Sequence, residues 1–203
     1  MSGKQNQASF DGLSDEYRRR LWQVIAINGI MFAVEMLAGH WAGSKALQAD
    51  ALDFFADTVT YGISMAVIGS PIRTRSWVAT AKGASLFAIG LWILGTTVWQ
   101  VFVAGVPQAQ IMGSVGFLAL VANLVSVVLL LPYKDGDANV RSVWLCSRND
   151  MVGNVAVVLA AWLVYASGTR WPDLIVALIM AALFLSSAWQ IVSQARHEAA
   201  HAD

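Results

Sequence analysis

The chain has 203 residues, of which 57% are hydrophobic and 13% charged, against about 45–50% and about 25% for an ordinary soluble domain. Thirteen basic residues balance thirteen acidic ones, so there is no basic excess to attract nucleic acid, and the single cysteine, Cys146, excludes an internal disulfide. Composition this apolar excludes a disordered or collagen-like chain and points to an all-α, polytopic protein whose solvent is the lipid bilayer.

Crossing the hydrocarbon takes about 20 mostly apolar residues, and such runs are expected at 21–41, 47–69, 77–103, 111–131, 143–166 and 174–192. The reading is a six-helix bundle over 21–195, with a cytoplasmic segment at 1–20 and a short tail at 196–203. No secretory signal peptide is expected, because a polar stretch precedes the first apolar run and no small-residue cleavage site follows it. Lys4, Arg18, Arg19, Arg20, Arg73, Arg75, Lys134, Arg141 and Arg196 fall on one side of a six-span chain, with Lys82 just inside it, whereas Lys45 and Arg170 fall on the other. The excess of positive charge on that side predicts that both termini are cytoplasmic, and the expected location is the cell membrane. Ser14, followed by Asp15 and Glu16, has the pattern of a helix start, and Arg18–Arg20 read as snorkelling anchors.

The first span holds Asn28 and, seven residues later on the same face, Glu35. The second holds Asp50, Asp53 and Asp57 in an otherwise apolar helix. A central aspartate costs about 2.5–3.5 kcal/mol to insert, so three cost up to roughly 10 kcal/mol. Spacings of three and four put the three carboxylates within about 60° of arc, a face extended by Tyr61 and Ser64, and that face must look into the bundle. Pairing with a neighbour accounts well for Asp50, nearest the outer end, and poorly for Asp53 and Asp57. In the fourth span Asn123 reads as a hydrogen bond between helices.

The fifth span carries Cys146, Ser147, Arg148, Asn149 and Asp150, then Gly153 and Asn154. Cys146 and Asp150 share a face, and Arg148 points away from it, toward an acid or the cytoplasmic interface. At about 1.5 Å per residue, Asp57 and Asp150 each lie roughly 18–20 Å from the cytoplasmic helix ends, so they are expected to meet near mid-membrane. Three carboxylates and a thiol about one point, Asp53, Asp57, Asp150 and Cys146, make a four-ligand site for a divalent cation. The thiolate favours the softer Zn²⁺ or Cd²⁺. Glu35, Asp50, Asn28 and Asn154 are candidates for the pathway or a proton relay. Closely spaced carboxylates cannot all ionise in a low-dielectric cavity, so the empty site is expected to hold protons that a cation displaces.

The motifs resemble those of the cation diffusion facilitators. The run from Glu35 through Gly43-Ser44, Ala46-Leu47 and Ala49-Asp50-Ala51 to Asp53-x-x-x-Asp57 is similar to that family's first two helices. Cys146-x-x-x-Asp150, followed by Gly153-Asn154 and a Val-rich run, resembles its fifth, where histidine usually stands in place of Cys146 and serine in place of Asn154. Asn123-Leu-Val-Ser fits the fourth helix, and Trp171-Pro-Asp173 stands where the family often has a Trp and an Asp-Pro. The resemblance implies a secondary transporter that exports Zn²⁺ or a similar ion from the cytoplasm in exchange for protons by alternating access. It also implies that the family's cytoplasmic domain after the sixth helix is missing here, together with any histidine-rich loop.

No Gly-rich phosphate loop suggests nucleotide use, no catalytic residue is assigned, and the chain reads as a transporter rather than an enzyme. His197-Glu198-x-x-His201 matches the metalloprotease pattern but reads as a polar helix end. A channel, or an accessory subunit that binds metal without moving it, is the alternative. A homodimer through the membrane helices is expected, with Gly83, Gly90 and Gly95 of the third span and Ala181, Ala182 and Ser186 of the sixth permitting close approach.

Overall fold

The computed structural model describes residues 14–66, 72–103, 105–135 and 138–200, and only the backbone of 72–83, 138–142, 191–192 and 194–200. Lys4 and His201 lie outside the described residues, as do the side chains of Arg73, Arg75, Lys82, Gly83, Arg141, Arg196, His197 and Glu198. Six helices follow one another: α1 Asp15–Ala42, α2 Lys45–Ala66, α3 Ile72–Val103, α4 Ala109–Leu130, α5 Ala138–Ser167 and α6 Trp171–Ala200. A single 3-10 turn, Leu131–Tyr133, follows α4, and no strand occurs among the described residues.

Several helices run past the expected spans, because hydropathy marks where the hydrocarbon begins and not where backbone hydrogen bonding stops. At the front of α1 the Ser14 hydroxyl accepts the Tyr17 amide at 3.2 Å, and Asp15 and Glu16 occupy the first turn. The hydroxyl satisfies a free amide and the acids favour the positive end of the helix, so the helix begins six residues before the apolar run. Arg20 pairs with Glu16, donates to the Leu129 carbonyl at 3.3 Å and lies over the Tyr133 ring. It is tied to the end of α4 rather than left in the interface. At the far end of α1, Gly43 adopts φ 69°, and the chain turns there into α2 because glycine meets no Cβ penalty in that conformation.

Five of the helices are long and apolar enough to cross a membrane among the described residues. The exception is α2, which carries Lys45, Asp50, Asp53 and Asp57 in 22 residues. The packing explains how it is tolerated. α2 lies mainly against α1 and touches α6, α5 and α3, while α3 pairs most extensively with α6, and α4 with α5 and α1. Large apolar side chains instead cover the outside: Trp41, Trp99, Phe102, Trp162, Tyr165 and Trp171 stand exposed at one end of the bundle, Trp22 and Trp189 toward the other. Exposed aromatics at both ends are the mark of the two membrane interfaces. The protein is an all-α polytopic membrane protein.

Some small residues serve contacts within the chain. A Cβ on Gly90 would lie 2.9 Å from the Leu185 side chain and 3.3 Å from that of Phe184, so Gly90 lets α3 approach α6. Ala181 is fully buried. The expectation that these two residues serve contact with a second copy is therefore corrected. Ala182 and Ser186 do face outward, and nothing stands within 4 Å of a Cβ built on Gly95.

Candidate functional site

The N-terminal end of α2 is fixed by a residue of α6. The Asp173 carboxylate accepts the Ser44 hydroxyl at 2.6 Å, the Lys45 amide at 2.8 Å and the Ala46 amide at 3.0 Å, while Ser44 itself accepts the Leu47 amide at 3.1 Å. An acid capping the positive end of a helix satisfies donors that have no partner within it. From that anchor α2 carries its aspartates inward on the face toward α1 and α5.

Two polar levels result, named outer for the one nearer the N-terminus of α2 and inner for the one further along that helix. At the outer level Asp50 is 2% exposed and accepts the Asn154 amide at 2.7 Å; Asn154 in turn accepts the Asn123 amide at 2.7 Å. Three helices, α2, α5 and α4, are thereby joined through one chain of side chains. Gly153 leaves room for it, a Cβ there standing 3.9 Å from Asp50 Oδ1. Glu35 of α1 is fully buried beside Asp50, with Asp53 in its surroundings. Asp50 is thus paired with a neighbour, and Asn123 bridges helices, as the sequence suggested for each.

The inner level lies about two turns, or roughly 10 Å, toward the other end of α2. Here Asp150 of α5 lies beside Asp57, with Asp53 and Cys146 in its surroundings, and its Oδ2 is sealed from solvent. Tyr61, one turn beyond Asp57, is fully buried and donates its hydroxyl proton to Asp57 Oδ2. That proton is the only one the phenol has, so the buried Ser147 hydroxyl, 3.2 Å away, donates to Tyr61. Asn28 of α1 is buried with both amide atoms lacking partners. It is placed near this level by its neighbour Gly29, whose Cβ would lie 3.8 Å from the Thr58 methyl.

Asp57, Asp53 and Cys146 thus lie in the surroundings of Asp150, but among the described residues no three of His, Cys, Asp and Glu stand close enough to hold an ion in this conformation. Asp50, Glu35 and Asn154 belong to the outer level. Arg148 is exposed, turned away from the site as expected, but it lies over the Trp144 ring, 5.3 Å from its centroid, and contacts Asn149 rather than an acid. Sequence reasoning placed Tyr61 only on the aspartate stripe and gave Ser147 no role. The available signal was Tyr61 lying four residues after Asp57, and Ser147 lying next to Cys146. Chemically, the inner level offers carboxylate oxygens and a sulfur to a divalent cation. The outer level offers two acids and two amides, which can pass a proton or accept a cation's charge.

Comparison with known proteins places the chain among metal-efflux relatives. The chain is 25% identical over 185 residues to the metal cation efflux system protein CzcD of Cupriavidus metallidurans, covering 84% of this chain and 58% of that protein. It is 27% identical over 197 residues to the zinc transporter ZitB of Escherichia coli, covering 91% and 63%. It is 26% identical over 191 residues to the cadmium, cobalt and zinc/H(+)-K(+) antiporter of Bacillus subtilis, covering 85% and 60%. The chain thus spans about three fifths of the length of these relatives. Residues 21–198, almost the whole chain and all six helices in large part, match the cation efflux transmembrane domain, and the protein belongs to the cation efflux family.

Proposed function

We propose that this chain exports a divalent transition-metal cation from the cytoplasm in exchange for protons, by alternating access at the inner polar level. Zinc is the first candidate and cadmium the second. The observation that carries the reading is that Asp53, Asp57 and Cys146 lie around the half-buried Asp150. Three carboxylates and a thiol form a mixed oxygen and sulfur set, and sulfur prefers the softer of the divalent ions. The relatives' names, which speak of zinc, cadmium and cobalt, support the same ions. A cation entering the site replaces the protons that let closely spaced carboxylates coexist out of water. Glu35, Asp50, Asn28 and Asn154 line the pathway and pass protons toward the outer side. Both termini lie in the cytoplasm, and two copies pair through outward residues of α3 and α6, Gly95, Ala182 and Ser186 among them.

The test is flux in proteoliposomes holding a zinc indicator. Zinc is expected to accumulate inside when the interior is more acidic than the bath, and to stop accumulating when an exchanger of protons for potassium collapses that gradient. Proton movement that ignores zinc would identify a channel, and zinc binding without flux of either ion an accessory subunit. Each of those outcomes overturns the proposal.

A further inference from the structure

Tyr61 differs from the other residues around the inner level because its position is not adjustable. Its ring is fully buried in an apolar cluster from four helices, with Tyr17, Leu21, Val24, Leu130 and Val143 around it. Its hydroxyl is therefore held in place by packing, and the Ser147 hydroxyl, 3.2 Å away, orients it further. That fixed hydroxyl donates to one particular atom, Oδ2 of Asp57.

We propose that Tyr61 is a specificity-determining positioning residue, which makes Asp57 a one-oxygen ligand and so restricts the site to a four-coordinate cation. This rests on the reading of Asp57 as a metal ligand given above. A carboxylate can bind an ion through one oxygen or two, and larger or harder ions such as Mn²⁺ take six oxygen donors, whereas Zn²⁺ is satisfied by four. With Oδ2 committed to the phenol, the carboxylate presents Oδ1 to the ion. One atom from each of Asp53, Asp57, Cys146 and Asp150 then completes four-fold coordination, and a two-oxygen grip by Asp57 would break the hydrogen bond to a phenol that has nowhere to move. The preference is thus set by a residue that never touches the ion, as hydrogen-bonded partners of metal ligands commonly do at about 10–100-fold in affinity.

The experiment uses the full chain, purified and reconstituted, with Zn²⁺ and Mn²⁺ as separate probes. Affinity is read by calorimetry, and KM and maximal rate are read by flux. Tyr61→Phe removes the hydroxyl and keeps the ring. It is expected to weaken zinc binding about tenfold and leave manganese binding unchanged or tighter, so that the ratio of the two falls by at least that factor and the change appears in KM. Ser147→Ala is expected to move the ratio the same way by less. Unchanged affinities, or equal losses for both ions, would overturn the inference, since loosened packing does not distinguish one cation from another. If Tyr61→Phe does not fold, Ser147→Ala decides: an unchanged ratio overturns the inference. Asp57→Asn separates the two levels of argument. Zinc affinity equal to the parent's sinks the reading of the site itself, whereas its loss alongside an unaffected Tyr61→Phe sinks only the role of Tyr61.

Discussion

Asp173, in the first turn of α6, closes the N-terminus of α2 by accepting the Ser44 hydroxyl at 2.6 Å. The same carboxylate takes the amides of Lys45 and Ala46, so one side chain satisfies three donors and ties the helix bearing the aspartates to the last helix of the chain. Asp173→Ala leaves the Ser44 hydroxyl and both amides without their acceptor. Unmet buried donors cost about 1–3 kcal/mol, and a lost cap about 0.5–2 kcal/mol. We expect a lower melting temperature in detergent, with Asp173→Asn recovering part of the loss. Parental stability in Asp173→Ala would show that water replaces the carboxylate.

Variants at the two central acids of the inner level are expected to differ in stability although both are expected to lose transport. Asp57→Ala and Asp150→Ala should each abolish metal flux in proteoliposomes. Asp150 Oδ2 is sealed from solvent among other acids, so its removal relieves a desolvation cost of about 1–3 kcal/mol, and the variant should melt above the parent. Asp57 accepts the buried Tyr61 hydroxyl, so its removal strands a donor and offsets the same gain. Thermal melts without metal check the order: Asp150→Ala highest, Asp57→Ala near the parent.

The outer level behaves as one unit. Asn154 gives its amide protons to Asp50 and takes one from Asn123, so Asn154→Ala breaks two buried hydrogen bonds and Asn123→Ala one. Replacement of Asn154 should be the more destabilising, by about 2–3 kcal/mol, and the double variant should be less than the sum of the two. Strict additivity in denaturation by a chaotrope would mean that the three side chains do not act together.

How far these levels were legible in the sequence depends on the kind of feature. The helices were, because five runs are apolar enough and long enough to cross a bilayer, and the second keeps its three aspartates at helical spacing on one face. Their ends were not, because the Ser14 cap starts α1 six residues before Leu21, where hydropathy carries no signal. Asp53 with Asp57, and Cys146 with Asp150, were readable as pairs because four residues is one helical turn. That Tyr61 meets Ser147, or Asn123 meets Asn154, depends on how each helix is rotated against its neighbour, which no spacing within one helix encodes. Gly90 makes the same point: a small residue announces a close approach but not to which helix, and here the partner is Leu185 of the same chain.

Cys146 gives the fourth prediction. A thiol ligates only as thiolate, with a reference pKa of about 8.5, and among carboxylates only a soft cation compensates that charge. Cys146→Ser should weaken Zn²⁺ and Cd²⁺ binding far more than Mn²⁺ binding, and Cys146→His should restore zinc. Calorimetry at pH 7 that returns parental zinc affinity for Cys146→Ser would remove the sulfur from the site and leave the three aspartates.

The exposed tryptophans at the two ends of α1 make that helix a depth gauge. Trp22 and Trp41 are separated by 19 residues of α1, about 28 Å of rise, close to the hydrocarbon thickness of about 30 Å. Asn28 stands six residues from the first and Glu35 six from the second, so each polar level lies about 9 Å from its nearer interface and roughly 10 Å from the other level. The nonpolar slab is thereby cut into three nearly equal thirds. A charge crossing it meets oxygen or amide groups at the end of each third, and the electrostatic barrier becomes three short steps in place of one long one.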